Sequence, residues 1–470
     1  MIRKTKIVAT IGPSSSSKTI LKKMIVSGVN VCRINFSHTN HEEARNIIST
    51  VKTINQELHV HTAILADLQG PKIRVGNIEE PIKVKKGEEV VFSTKKEPNT
   101  IFINYSGFSN DVKKGDVVLL DDGKITFQVQ RKTKTKVVLK TTHGGTIYPN
   151  KGVNLPTTQT KLPSLTTKDK NDLKFILTQK IEWIGLSFVR SSKDIDSLKK
   201  ILKKKKSNIR IIAKIEKPEA LNEIDEIIKS SDAVMVARGD LGVEISLHKV
   251  PIYQKMIVRK CMKESKPVVI ATQMLESMTH NVSATRAEVN DVANSVIDGA
   301  DAMMLSGETA IGKHPVKTIE TMRKIIRDVE KSEHNISKNI EKKELVKHER
   351  MMSDAICSNA CETSEKTKSK AIITITYSGY NTIKTSSFRP NAFIYAFTNN
   401  HSILNTLSLV WGVRGFYFDR GATTNQTIEE TKENLKKLGL LKKGDIVVNI
   451  ASIPASEKGK TNMMKLSTIK

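Results

Sequence analysis

Aromatic side chains are scarce in this chain: Phe, Trp and Tyr make up 4% of its 470 residues. That is too few for the stacking platform on which single-stranded nucleic acid is held. The scarcity matters because the formal net charge is +28, from 77 Lys and Arg against 49 Asp and Glu. Such a balance otherwise invites a nucleic-acid reading. The excess is mostly lysine at surface-like helical positions. Its densest block, Lys199–Lys206 (KKILKKKK), closes a predicted helix, where cations suit the dipole. No nucleic-acid-binding motif is present, and no nucleic-acid partner is expected.

Cysteine is also sparse. The four residues (Cys32, Cys261, Cys357, Cys361) show no CxxC spacing. Cys357 and Cys361 stand one helical turn apart, but no nearby His or Cys completes a metal set. Buried thiols in a reducing compartment, the cytoplasm, are the expectation. No apolar run approaches a membrane span. The opening MIRKTKIVATIG enters a strand at once rather than a charged-then-apolar leader, so no membrane association is expected. Walker-type GxxxxGK[ST], a kinase glycine loop, a GxSxG elbow and paired histidines are all missing. A nucleotide, if used, must bind by another arrangement.

What is present is an alternation. Eight runs rich in Val and Ile have strand length: Lys6–Ile11, Asn30–Phe36, Thr62–Leu68, Glu182–Val189, Ile209–Glu216, Ala233–Ala237, Pro267–Thr272 and Ala302–Leu305. They are nearly continuous in apolar residues, as strands buried on both faces should be. Amphipathic segments of helix length separate them, among them Lys18–Ser27, His41–Asn55, Glu219–Lys229 and Thr285–Asp298, and Pro315–Asp328 follows the last. Eightfold strand–helix alternation predicts a closed parallel (β/α)₈ TIM barrel rather than an open doubly wound sheet. One connection is abnormal. Gly76 to about Ser164 reads as short period-two strands around Gly, Asp and Asn turns, a small β-barrel lid inserted after the third strand. After Ser332 a Lys- and Glu-rich stretch (Lys331–Arg350) reads as a solvated helix or linker. A second α/β unit follows, with strand candidates Ala371–Thr376, Ala392–Phe397, Gly415–Phe418 and Asp445–Ile450. The expected domains are 1–75 with 165–331 (barrel), 76–164 (lid) and 332–470 (C-terminal α/β).

Barrel enzymes work at the C-terminal ends of their strands, and here those ends are charged. The second strand ends CRINFSH, with Arg33, Asn35 and Ser37 on one face by period two. The third ends ADLQGPKIR, with Asp67, Lys72 and Arg74, and the fourth ends at Ser187. Lys214 and Glu216 close the fifth, Arg238 and Asp240 the sixth, and Thr272 the seventh. The segment ARGDLG reads as a tight, glycine-flanked turn. Two carboxylates from adjacent strands, Glu216 and Asp240, suit Mg²⁺ or Mn²⁺ with positions open for substrate oxygens. Arginines and a lysine around such an ion suit phosphate or carboxylate groups. Physics alone reaches metal-assisted chemistry on an anionic, phosphorylated small molecule.

The segments TKIVATIGPSS, VCRINFSH, LADLQGPKIRVG, NKGVNLP, IIAKIEKPEAL, VMVARGDLGVE, VIATQMLESM and ADAMMLSGETAIGKHPV closely resemble the pyruvate kinase family, in the family's order. The C-terminal TYSGYN…RP extends the resemblance over nearly the whole chain. It implies a barrel, a lid after the third strand, a C-terminal regulatory α/β domain, and a homotetramer. It also implies phosphoenolpyruvate and ADP as substrates, and pyruvate and ATP as products, at the last step of glycolysis. By position, Lys214 would stabilise the phosphoryl group in transit. Arg33 would contact it, and Glu216 and Asp240 would hold Mg²⁺. Gly239, Asp240 and Thr272 would hold the carboxylate end of the substrate, with Ser187 beside it and Thr272 near the enolate. Asn35, Phe36, Ser37, His38, Arg74 and Lys151 would surround the nucleotide.

One departure from the family pattern carries its own expectation. Many members read DTKGPEIRT here and hold K⁺ with Asn, Ser, Asp and Thr. This chain keeps Asn35, Ser37 and Asp67 but has Leu68 for the Thr and Lys72 for the Glu. A lysine ammonium is a fixed monovalent cation, so the resemblance is to the K⁺-independent subgroup, with Lys72 substituting for K⁺. The TYSGYNT loop, with Thr376, Ser378 and Gly379, resembles a phosphate-binding loop for sugar-phosphate activators, so a phosphorylated effector is an expectation too. The rival readings are another phosphoenolpyruvate-using barrel, a lyase or mutase, and an RNA-binding protein.

Overall fold

Strands buried on both faces can satisfy their edges only by pairing, and eight of them close on themselves. In the computed structural model, which describes residues 3–332, 349–419, 423–453 and 460–470, the barrel strands are β1 (Lys6–Thr10), β2 (Val31–Asn35), β3 (Ala63–Asp67), β4 (Trp183–Leu186), β5 (Arg210–Ile215), β6 (Ala233–Ala237), β7 (Val268–Ala271) and β8 (Ala302–Leu305). All pair in parallel, in chain order, and β8 returns to β1. This is the predicted (β/α)₈ barrel.

Period two then sorts the side chains. Val8, Val31, Leu65, Ile212, Met235, Val269 and Met304 pack together within the barrel, while Ile7, Cys32, Ile34, Ile64, Ile211 and Val234 pack outward with the helices. Two residues beyond the inward Val8, Val31, Leu65 and Ile212 stand Thr10, Arg33, Asp67 and Lys214. Strand parity alone therefore brings these four to the C-terminal mouth.

Some local expectations change. The predicted helix Glu219–Lys229 is two pieces, Pro218–Asn222 and Ile224–Ser230, broken at Glu223. Arg238–Glu244 is a short helix rather than a turn, and neither Gly239 nor Gly242 has a positive φ. Glycine in ARGDLG allows close approach instead: a Cβ on Gly239 would lie 3.3 Å from Thr272 Oγ1.

The inserted module builds a six-stranded sheet and a two-stranded one around its own core of Phe92, Phe108 and Phe127. Its two connections to the barrel pair with each other: Val153 N–H donates to Ile73 O at 2.9 Å and Val75 N–H to Lys151 O at 2.9 Å. The C-terminal sheet runs Val413–Tyr417, Phe393–Thr398, Ala371–Ile375, Ile446–Ala451, Met463–Thr468. The last strand pairs antiparallel and alternates half-buried with exposed residues; it was not among the predicted strands. This domain covers the base of the barrel, where Leu409 packs under the luminal core and Arg389 pairs with Asp301 at 2.7 Å. Most of the predicted linker Lys331–Arg350 lies outside the described residues. No helix among the described residues is long and apolar enough to cross a membrane.

Candidate active site

Asp67 is the hub of the barrel mouth. Its Oδ2 accepts from Arg33 Nε at 2.7 Å and its Oδ1 lies 3.2 Å from Lys214 Nζ. That second contact is an ion pair without hydrogen-bond geometry. The carboxyl is fully buried, which would raise its pKa, yet Lys214 and Arg33 hold it below the usual carboxylate range. Arg33 also donates to Thr10 Oγ1 at 2.9 Å, so β1, β2 and β3 are tied through one guanidinium.

Lys214 has three ammonium hydrogens and three oxygen neighbours. These are Ser187 Oγ at 2.7 Å, Glu216 Oε1 at 2.9 Å and Asp67 Oδ1 at 3.2 Å. Burial opposes its charge, but Asp67 and Glu216 outweigh burial and its pKa is raised. The residue is a permanent cation at physiological pH. Ser187 in turn donates to Leu68 O at 2.7 Å, which sets the height of the ammonium.

Glu216 is buried, and burial pushes its carboxyl up; Lys214 works against this and Asp240 adds to it. Its Oε2 accepts from Phe188 N–H at 2.6 Å, with Phe188 in the left-handed region at φ 55°. Asp240 Oδ1 lies 3.1 Å from Lys72 Nζ. Two carboxylates, Asp240 near enough to disfavour the charge on Glu216, offer hard oxygen donors with about four lone-pair sites each and fit a divalent ion such as Mg²⁺. Among the described residues no group of three or more His, Cys, Asp or Glu could hold a metal.

Thr272 stands just past β7 at φ 74°, a left-handed conformation that strains a β-branched residue. Its Oγ1 accepts from Gly239 N–H at 2.7 Å and donates to Ala271 O at 2.5 Å. Arg238 holds the strained carbonyl, donating to Thr272 O at 2.8 Å while pairing with Asp291 at 2.7 Å. Arg238 thus supports the loop.

The nucleotide candidates fall in two groups. Asn35, Phe36, Ser37 and His38 form the end of β2 and the turn after it, where Ser37 N–H donates to Asn35 Oδ1 at 3.2 Å. Arg74 and Lys151 lie on the paired lid connections: Arg74 donates to Asn150 O at 3.0 Å and Lys151 pairs with Asp121 at 2.9 Å. Burial, then Arg74, Arg33 and Lys168, hold the His38 imidazole pKa down, so these cations share its surroundings. Lys72 points to Asp240, while Asp67 is engaged by Arg33 and Lys214 and Leu68 is buried.

The Thr376–Gly379 loop lies at the opposite end of the molecule, in the C-terminal domain. Gly379 has φ 82°, which a side chain would strain, and its N–H donates to Thr376 Oγ1 at 3.0 Å. Ser378 O accepts from Arg210 at 3.1 Å, which joins this loop to the base of β5.

Two supporting residues escaped sequence reasoning. Thr10 was overlooked because a lone threonine at a strand end carries no signal. Glu308 is fully buried after β8 and its oxygens accept from Leu275 N–H at 3.2 Å and Ser306 N–H at 2.7 Å, tying the β7 and β8 loops. A carboxylate inside the otherwise small-residue LSGETA was the signal available.

A closed barrel, a lid on its catalytic face, and buried cations beside two carboxylates define a class: barrel enzymes acting on small anions with a divalent ion. Comparison narrows it. Residues 2–319 match the barrel domain of pyruvate kinase and residues 354–467 its alpha/beta domain. The pyruvate kinase of Staphylococcus epidermidis is 39% identical, across 100% of this chain and 81% of that protein. That of Staphylococcus aureus shows the same identity and coverage. A crystal structure of a pyruvate kinase from Cryptosporidium parvum superposes with a TM-score of 0.92 at 33% identity, covering 100% of this chain and 96% of that one. The chain belongs to the pyruvate kinase family. It transfers the phosphoryl group of phosphoenolpyruvate to ADP, giving pyruvate and ATP, and the family uses a divalent metal ion.

Proposed function

We propose that Lys214 and Arg33 stabilise the phosphoryl group in transit, and that Asp67, by engaging both, fixes the distance between them. Phosphoryl transfer asks mainly for positioning and charge neutralisation. Two permanent cations sharing one buried carboxylate supply that, and this shared carboxylate is the observation that carries the reading. Ser187 and Glu216 orient the ammonium. Glu216 and Asp240 would hold Mg²⁺ or Mn²⁺, which supplies further charge neutralisation when bound. Gly239, Asp240 and Thr272 receive the substrate carboxylate. The Thr272 hydroxyl, which accepts from Gly239 N–H and donates to Ala271 O, would hold a proton near the enolate carbon. Asn35 to His38, with Arg74 and Lys151 from the lid connections, receive the nucleotide, and the lid excludes water.

Activity without K⁺ follows on this reading from Lys72, whose ammonium stands on Asp240. Gly152 makes room for it: a Cβ there would lie 2.9 Å from Lys72 Cε. The protein works in the cytoplasm as a homotetramer of three-domain subunits (1–75 with 165–331, 76–164 and 332–470), and Thr376, Ser378 and Gly379 receive a phosphorylated effector. The central test is Lys214→Met, assayed by pyruvate formation from phosphoenolpyruvate and ADP. Loss of one preorganised charge-stabilising donor is worth roughly 10²–10³ in turnover. Near-normal turnover would overturn the assignment.

A further inference from the structure

We propose that Glu244 is a positioning residue for the Glu216–Asp240 pair, acting with Lys217 and Asn154 as a buried strut between that pair and the lid. The inference rests on the reading of Glu216 and Asp240 as the metal carboxylates. Glu244 ends the helix Arg238–Glu244, four residues and so about one turn beyond Asp240. Lys217 directly follows Glu216 in the chain. Lys217 Nζ donates to Glu244 Oε1 at 2.6 Å, and the Glu244 side chain is 1% exposed. The bridge therefore joins the two backbones that carry the carboxylates, within a turn of each.

A third segment meets the same oxygen. Asn154 Nδ2 donates to Glu244 Oε1 at 2.8 Å, and Asn154 is buried on the lid's return connection. The neighbouring Val153 pairs with Ile73, next to Lys72, whose ammonium lies 3.1 Å from Asp240. Both lid connections thus reach the carboxylate pair: the outgoing one through Lys72, the returning one through Asn154 and Glu244. Among the described residues Glu244 Oε2 and Asn154 Oδ1 have no hydrogen-bond partner, and both residues line a cavity of about 20 Å³ with Lys72 and Lys217. That is room for one water, whose two hydrogens match two acceptors.

The strut predicts that lid attachment and metal affinity are coupled. The test is Mn²⁺ titration of the full chain without substrates, with free Mn²⁺ read by electron paramagnetic resonance. It is run on Glu244→Gln, Asn154→Ala and the double variant Lys217→Met/Glu244→Gln. The Mn²⁺ dissociation constant is expected to rise at least fivefold in all three. The double variant removes the buried charge that Glu244→Gln leaves without a partner. Its melting temperature therefore recovers towards wild type while the Mn²⁺ defect stays, which a purely structural role would not produce. Wild-type Mn²⁺ affinity in Asn154→Ala and in the double variant overturns the proposal. Glu216→Gln and Asp240→Asn serve as controls. If they bind Mn²⁺ like wild type, the metal reading fails and the strut with it; if they lose binding while the strut variants keep it, only the strut fails.

Discussion

Replacing Lys72 by Glu should convert this enzyme into one that needs K⁺. The Lys72 ammonium lies 3.1 Å from Asp240 Oδ1, with the two side chains 22% and 27% exposed. At an effective dielectric constant near 20 such a pair attracts by about 5 kcal/mol, and by little more than 1 kcal/mol in bulk water. Partial exposure places the net value between the two, nearer the lower figure. Lys72→Glu removes that attraction and sets a third negative charge beside Asp240 and Glu216. A loss of about 1.4–2.8 kcal/mol corresponds to a 10- to 100-fold fall in turnover at saturating Mg²⁺ without K⁺. A monovalent cation can neutralise the new carboxylate, so about 100 mM K⁺ should recover most of the loss. Lys72→Gln should lose activity without gaining K⁺ activation, because it leaves no carboxylate to attract the ion. The assay is coupled pyruvate formation in tetramethylammonium salts at constant ionic strength, since screening alone alters exposed charge pairs. Wild-type turnover should change less than twofold with K⁺. A many-fold rise in wild type, or an unchanged Lys72→Glu, would refute the reasoning.

Further predictions concern pH and backbone strain. Asp67 has its pKa lowered in the folded protein, so it adds stability above its unfolded pKa of about 3.8 that is lost as pH falls through the folded value. Acid unfolding followed by circular dichroism should therefore show a shallower pH dependence below about pH 4 in Asp67→Asn than in wild type. An equal slope would show that the buried carboxylate is not linked to folding. Gly379→Ala, at φ 82°, should destabilise the protein by about 1–2 kcal/mol through left-handed strain, read as a lower urea midpoint. Turnover should stay near wild type, because the loop lies in the C-terminal domain far from the barrel mouth.

Much of the site was legible because strand periodicity says which face a residue takes. Arg33 and Lys214 could be placed in the barrel mouth from apolar runs alone, and the inserted β module and C-terminal α/β unit stood out by changes of texture. Errors arose where local patterns admit two structures. ARGDLG satisfies a turn or a short helix equally, and only the burial of Leu241 and Glu244 on one face decides for the helix. The exposed edge strand Met463–Thr468 lacks the apolar run that marks a buried strand, so its pairing partner, not its composition, makes it a strand.

The sequence by itself determined the barrel, its inserted lid, the family and the kinds of charge at the strand ends, because these follow from periodicity, segment order and residue identity. Tertiary structure alone decided who pairs with whom. Asp67 serves Arg33 and Lys214 from strands 34 residues before it and 147 residues after it, and Lys72 turns to Asp240, 168 residues on. Glu244 gathers Lys217 and Asn154 into one contact. Such pairings depend on ring closure and on the register of parallel strands, which fix distances between residues remote in the chain. No local pattern encodes those distances, and the electrostatics of the site, which act over a few ångströms, are set by them.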